Sequence, residues 1–252
     1  MIIGDIGEAL APISAAYVES WAAIMLGAVD GVARRFGACV DESVIPAGHR
    51  RRLGTYGRMA VSCGLSIAAA DSSDLVFCSR YGDVDLAHRL LTELVAGGLL
   101  SPAAFSMSVH NAVPGVMDLV RKSRAGHTAI AAGTQSFSAG LAEAWGKLDE
   151  NRESKIALVY ADCALPAVYQ EFSDMKLGGT ALAMMLSTKP SATTIGQFSL
   201  GRANGDIRDA PNSEVLAGLL IGALNGEAGA SPVSWQSRGL RWSFEAGSNA
   251  SA

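Results

Sequence analysis

The sequence predicts an α/β protein with a mostly parallel sheet, antiparallel edge strands and helices on both faces. Three observations carry this expectation. Short apolar runs of strand length (75–79, 128–132 and 155–160) alternate with stretches of helical periodicity, the order that builds right-handed crossovers onto a parallel sheet. Two later apolar runs, 181–187 and 193–200, follow one another with Lys189-Pro190 between them, which implies an antiparallel pair at an edge. Hydrophobic residues make up 49% of the chain and charged residues 17%, under the roughly 25% usual for soluble domains. That excess of apolar surface points to a sizeable subunit interface.

Taken in order, residues 14–36 place Tyr17, Trp21, Ile24, Met25, Val29 and Val32 at helical spacing, with Arg34 and Arg35 near the end and Gly37 as a stop. They read as a helix. A linker around 46–48 precedes a second helix from 50 to about 69. The turn Asp71-Ser-Ser-Asp74 opens the strand at 75–79. Asp83 or Asp85 caps a helix over 86–95 that ends at Gly97-Gly98. A helix over 113–122, the strand at 128–132 and a helix over 137–148 come next. After a polar loop at 149–154 the strand 155–160 follows, then an irregular segment, 165–178. The two late strands, a helix over 213–224 and a final strand at 240–244 complete the chain. No repeat or boundary divides it, so one domain over 1–252 is expected, with a fraying polar tail from Gly247.

Composition excludes several function classes. A net charge of −4 argues against a nucleic-acid surface. The one basic run, His49-Arg-Arg-Arg52, reads as a solvated helix start, with a docking patch for an acidic partner as the alternative. No apolar run reaches the roughly 18 residues of a membrane span; the longest, 215–224, is interrupted by Gly218 and Gly222. The N-terminus has no basic region ahead of its apolar residues, so no signal peptide is expected. Cys39, Cys63, Cys78 and Cys163 lack ligand spacing and read as buried free thiols of a cytoplasmic protein.

Familiar catalytic patterns fail on their own terms. Ser136-Phe-Ser138-Ala-Gly140 approaches a nucleophile elbow but lacks its first glycine, and no histidine follows His127 to complete a triad. His49, His88, His110 and His127 show no metal-ligand spacing, and no phosphate loop occurs. Neither a metal nor an organic cofactor is expected. Two segments remain informative. In Ser106-Met-Ser-Val-His-Asn-Ala-Val-Pro-Gly115, polar Ser108, His110 and Asn111 lie among apolar residues just before a helix. They form either a helix cap with a satisfied core histidine or the lining of a pocket or subunit interface. In Gly126-His-Thr-Ala-Ile-Ala-Ala-Gly-Thr-Gln135-Ser-Phe, an apolar strand turns through Gly133-Thr134 into a helix. A side chain at such a corner projects at the positive end of the helix, where a thiolate would be stabilised. The residue there is Gln135.

This segment resembles the strand and elbow of β-ketoacyl synthases in the thiolase superfamily, which read Gly-Pro-Ser-x-Ser-x-x-Thr-Ala-Cys-Ser-Ser and would set Gln135 on the nucleophilic cysteine. Gly178-Gly-Thr-Ala-Leu-Ala-Met-Met-Leu186 resembles the glycine-led strand of the ketosynthase first half. Ser108-Val-His-Asn111 combined with Gln135 is most similar to chain-length-factor-like proteins of aryl-polyene and xanthomonadin-type pigment pathways. The resemblance covers about 5–190, leaving an extension of about 191–246.

The resemblance implies a thiolase-like half-fold that pairs with a full-length β-ketoacyl synthase and bounds the tunnel for a chain carried on acyl carrier protein, with a homodimer conceivable alone. Gln135, flanked by Thr134, Ser136 and Phe137, would fill the vacated seat. Phe105, Met107, Val113 and Met117 are the implied tunnel-end residues, beside Ser108, His110 and Asn111 at the pocket or interface. Two departures matter: the nucleophile is absent, and the histidine pair of the ketosynthase second half has no counterpart. Condensation needs an acyl-cysteine and groups that stabilise an enolate, so independent condensing activity is not expected. The alternatives are a malonyl-carrier decarboxylase-like subunit, whose chemistry would still call on the missing histidines, and a homodimeric acyl-binding scaffold.

Overall fold

The computed structural model describes residues 13–38, 40–67, 73–203 and 211–247. Cys39, Asp71 and the tail from Ser248 lie outside them. All nine described strands join one sheet, in the order β4-β3-β5-β6-β1-β7-β9-β8, with β2 paired to β1. The strands are β1 (Ala15–Leu26), β2 (Ala33–Gly37), β3 (Asp74–Cys78), β4 (His127–Ile130), β5 (Ile156–Cys163), β6 (Gly179–Ser187), β7 (Gly196–Arg202), β8 (Val233–Ser237) and β9 (Leu240–Ala246). The helices are α1 (Ala47–Arg50), α2 (Thr55–Ser66), α3 (Val84–Val95), α4 (Pro102–Ser108), α5 (Ala112–Arg121), α6 (Ser136–Glu150) and α7 (Ser213–Leu224). The α/β class and the mixed sheet agree with the sequence. Parallel pairing joins β4, β3 and β5, and the antiparallel part reaches well past the edge, from β5–β6 through β1 to β8.

Both faces of the sheet are covered, because successive side chains of a strand point to opposite sides. Ile156, Leu158 and Tyr160 of β5 face α6 and α7. Ala157, Val159 and Ala161 face α2 and α5. Helix α6 lies close on the sheet because Gly140 faces Cys78; a Cβ there would sit 2.7 Å from its Sγ. Helix α7 begins at Asn212, whose side chain accepts from Val215 N at 2.9 Å. Asp83, one of the two caps the sequence suggested for α3, accepts from Leu86 N at 3.0 Å.

The largest correction concerns 14–36, expected as a helix. This segment is the hairpin β1–β2, with Ala22 opposite Gly37 and Leu26 opposite Ala33. Strand β1 lies inside the sheet, so both of its faces are buried and the simple in–out alternation disappears. A register shift between Val18 and Ser20 then moves the phase by one residue. Ala16, Val18, Trp21 and Ala23 end up on one face, a spacing that imitates a helix. A second correction follows from the first: β6 and β7 do not pair with each other, because β1 lies between them and is antiparallel to both. Helix α4 and strand β8 are additions to the sequence reading.

Candidate functional site

The candidate site lies beyond the carboxyl ends of the parallel strands β3, β4 and β5, where open α/β sheets present their ligand-binding loops. After β4 the chain turns through Gly133, whose φ of +59° is a left-handed geometry that a side chain disfavours. A short 3-10 turn, Gly133–Gln135, delivers Gln135 as the N-cap residue of α6. The Ser136 hydroxyl locks the corner from inside: it accepts from Ala132 N at 3.0 Å and donates to Gly133 O at 2.8 Å.

The segment beyond residue 190 reaches back to this corner. The Ser213 hydroxyl, at the start of α7, donates to Thr134 O at 2.9 Å and accepts from Phe137 N at 3.0 Å. At the end of β8 the Ser237 hydroxyl donates to Gln135 Oε1 at 3.4 Å. Gln135 is half-buried, and Thr134 is exposed. The space enclosed between Thr134, Tyr160, Asp162 and Ser213 is about 10 Å³, one water molecule's worth and far too small for an acyl chain.

Asp162, at the end of β5, organises the neighbouring loop. Its Oδ1 accepts from the Ser79 hydroxyl at 2.8 Å, Arg80 N at 3.0 Å and Tyr81 N at 3.0 Å; its Oδ2 accepts from Arg80 N at 3.0 Å. Burial raises the Asp162 carboxyl above the ordinary aspartate range, and these donors offset part of the rise. Arg80 pairs with Asp174 at 2.6 Å and stacks over the Tyr81 ring. Glu214 accepts from Lys176 N and Leu177 N at 2.9 and 2.8 Å, tying the 165–178 segment to α7. None of Asp162, Ser213, Glu214 or Ser237 was expected in the site. Asp162 alone carried a sequence signal, a lone carboxylate closing an otherwise apolar strand.

The expected site residues separate into three groups. Thr134, Gln135 and Ser136 come together at the corner. Phe137, expected beside a pocket, is fully buried and packs edge-on against Tyr160 at 5.6 Å. The second segment sits elsewhere, around α4 and α5. Phe105 is 59% exposed, whereas Val113 and Met117 are 3% and 1% exposed in the core between α5, α2 and the sheet. Met117 fills the space beside Gly64, where a Cβ would meet its Sδ at 2.7 Å. Met107 packs at the margin of that core. His110 is satisfied: its Nε2 lies 3.1 Å from Ser79 O and its ring 5.9 Å from Phe77. The Ser108 hydroxyl turns back to Phe105 O at 2.8 Å, and exposed Asn111 precedes α5 without capping it.

Among the described residues the cysteines offer no replacement nucleophile. Cys63, Cys78 and Cys163 are free thiols. Burial pushes Cys63 and Cys78 up, and Cys163 up to about 12, so none forms a thiolate readily at neutral pH. Among the described residues no group of three or more His, Cys, Asp or Glu could hold a metal. No described helix is long and apolar enough to cross a membrane.

No curated protein matches the chain in sequence. Solved structures are similar in fold. A chain of the complex of the ketosynthase ApeO with its chain length factor ApeC from Xenorhabdus doucetiae is 23% identical, with 91% of this chain and 98% of that one covered and a TM-score of 0.66. The ishigamide ketosynthase/chain length factor is 12% identical over 76% of this chain and 68% of that chain, with a TM-score of 0.54. AntDE:AntF, a type II polyketide synthase acyl-carrier protein in complex with its ketosynthase, is 10% identical over 75% and 70%, again with a TM-score of 0.54. The thiolase-like architecture is therefore shared. Residues 31–241 match the beta-ketoacyl synthase N-terminal domain, a match that spans the β4–α6 corner and most of the sheet, and the chain belongs to that family.

Proposed function

We propose that this chain is a non-catalytic, chain-length-factor-like partner of an active β-ketoacyl synthase, acting in the cytoplasm on chains carried by acyl carrier protein in a polyene- or fatty-acid-like pathway. The observation that carries the reading is Gln135 at the strand-to-helix corner where the family sets its cysteine, closed over by Ser213 and Ser237 of the same chain. A carboxamide forms no acyl thioester, and the raised thiols of Cys63, Cys78 and Cys163 lend no substitute. The similar structures include complexes of ketosynthases with chain length factors and with a carrier protein, which supports a role exercised in a complex.

A surface for such a partner is available. Strand β4 ends the sheet order and so leaves one row of backbone groups unpaired. Helix α5, next to it, exposes Leu119, and Phe105 of α4 and Val109 just after α4 are exposed as well. An edge strand flanked by apolar side chains fits a heterodimer contact built by strand addition.

Two predictions test the reading. Intact-mass spectrometry after incubation with malonyl- or acyl-carrier protein should find no covalent acyl group on the chain, and Gln135→Cys should not confer condensation without the histidine pair. A trapped adduct on the unaltered chain overturns the non-catalytic assignment. For the tunnel end, Phe105→Ala in the complex should lengthen the product while changing stability by under about 0.5 kcal/mol, since the side chain is exposed. Met117→Ala should instead cost about 2–5 kcal/mol through a core cavity. Unchanged product length with an intact complex removes Phe105 from that role.

A further inference from the structure

A cavity of about 450 Å³ opens where β5 ends and shares no wall residue with the small space at the Gln135 corner. Its size falls in the range that holds small organic ligands. The first turn of α2 and the residue before it contribute Gly54 and Tyr56, and the start of α3 contributes Asp83, Asp85 and Arg89. Leu26, at the end of β1, and Cys163 and Ala164, at the end of β5, supply an apolar side. Each polar wall lacks a partner. No side chain caps α2 at Gly54, so among the described residues the first-turn amides have no acceptor. The Asp83 carboxylate spends Oδ1 on Leu86 N at 3.0 Å and accepts nothing else among the described residues. Burial raises this carboxyl above the ordinary aspartate range; the bond from Leu86 opposes the rise, Asp85 adds to it and Arg89 opposes it. Arg89 forms no ion pair among the described residues. Tyr56 is 5% exposed, and its hydroxyl, on the side of Asp83 and Cys163, makes no hydrogen bond. The Ser79 hydroxyl beside it is already committed, donating to Asp162 and accepting from Gly82 N, each at 2.8 Å.

We propose that this cavity binds a free α-amino acid with an apolar side chain. The two charged groups of such a ligand answer the two kinds of wall. Its ammonium pairs with Asp83 and Asp85 and gives the Tyr56 hydroxyl its missing partner. Its carboxylate takes the uncapped amides at the positive end of α2, together with the Arg89 guanidinium. A lone cation would leave those donors unanswered, and a lone anion would face two carboxylates in a half-enclosed space. The side chain of the ligand then lies against Leu26, Cys163 and Ala164, where its burial adds to the binding. Nothing in this assignment depends on the ketosynthase-partner reading, because the Gln135 corner takes no part in it.

The test is isothermal titration calorimetry of the full chain with L-leucine and L-phenylalanine. Phenethylamine and hydrocinnamate serve as probes that keep the ring and one charge each. At least one of the two amino acids should bind, and each one-charge probe should bind about tenfold more weakly or not at all. Asp83→Asn keeps an oxygen for the α3 cap, and Arg89→Gln changes an exposed side chain; each should weaken amino-acid binding about tenfold. Glu153→Gln, which neutralises an exposed carboxylate elsewhere, should leave it unchanged. Absence of binding by both amino acids, a one-charge probe that binds as tightly, or an equal loss in Glu153→Gln would each overturn the assignment.

Discussion

Replacing Ala129 with proline should abolish pairing with a ketosynthase while leaving the subunit folded. Ser79 N donates to Ile130 O at 3.1 Å, so the main-chain groups of Ile130 point inward to β3. Main-chain groups alternate in direction along a strand, which turns those of Ala129 outward at the sheet's edge. A proline there removes an N–H that no neighbour among the described residues uses. Prolines at such edge positions are tolerated by the strand and hostile to a strand added from outside. Co-expression with the ketosynthase and size-exclusion chromatography should show the complex lost, with the circular-dichroism melt of the isolated subunit shifted by only a few degrees. A complex that survives the substitution places the partner on another face.

The second large effect is expected at Asp162. Alanine there deprives the Ser79 hydroxyl and the Arg80 and Tyr81 amides of their acceptor in a buried site. Each buried donor left unsatisfied costs about 1–3 kcal/mol, so a total of at least about 3 kcal/mol is expected. At this chain length that corresponds to a melting-temperature loss of roughly 10 °C. Asparagine retains one acceptor oxygen and should cost much less. The pair also predicts a pH signature. Burial raises the Asp162 carboxyl in the folded state, so the folded chain favours the protonated form. That contribution is complete below the unfolded value of about 3.9 and is lost as pH rises through the folded value. The stability of the parent relative to Asp162→Asn should therefore be greater in mildly acid buffer than at neutral pH. A difference independent of pH would show that Asp162 titrates alike in both states.

Much of the fold was legible because local signals agreed with their surroundings. Asp83 ahead of α3 marked a helix start by capping chemistry, and β5 is a run of apolar residues that only a doubly covered strand accepts. The first hairpin was illegible by periodicity, since a bulge and two buried faces erased the alternation. Its turn still held a cue in Asp30-Gly31, a dipeptide favoured between antiparallel strands. Strand β8 did carry the alternation, with Val233, Trp235 and Ser237 inward, and Arg238-Gly239 turn at φ of 51° and 77°, but its five residues make a short signal. Ser101-Pro102 signalled α4, a capping residue followed by proline at the first helical position.

The corner around Gln135 could be read because strand, turn and helix are contiguous. Its cover could not, because Ser213 and Ser237 lie 79 and 102 residues from their partners. Ordinary serines in a polar context carry no mark of such long-range contacts. Val113 and Met117 were assigned by position in the chain, and position does not say which side of a helix meets the core.

The placement of β1 between β6 and β7 has a consequence for biogenesis. Leu26 closes the strand, yet the last residue of its neighbour β6, Ser187, which pairs with Tyr17, emerges from the ribosome about 160 residues later, a delay of roughly 10–30 s at ordinary translation speeds. Throughout that interval β2 and α2 can cover the face with Ala22 and Ile24, while the face with Val18 and Trp21 awaits most of its later-made partners. In nascent chains that second face of the strand therefore stays open until the later half arrives to enclose it.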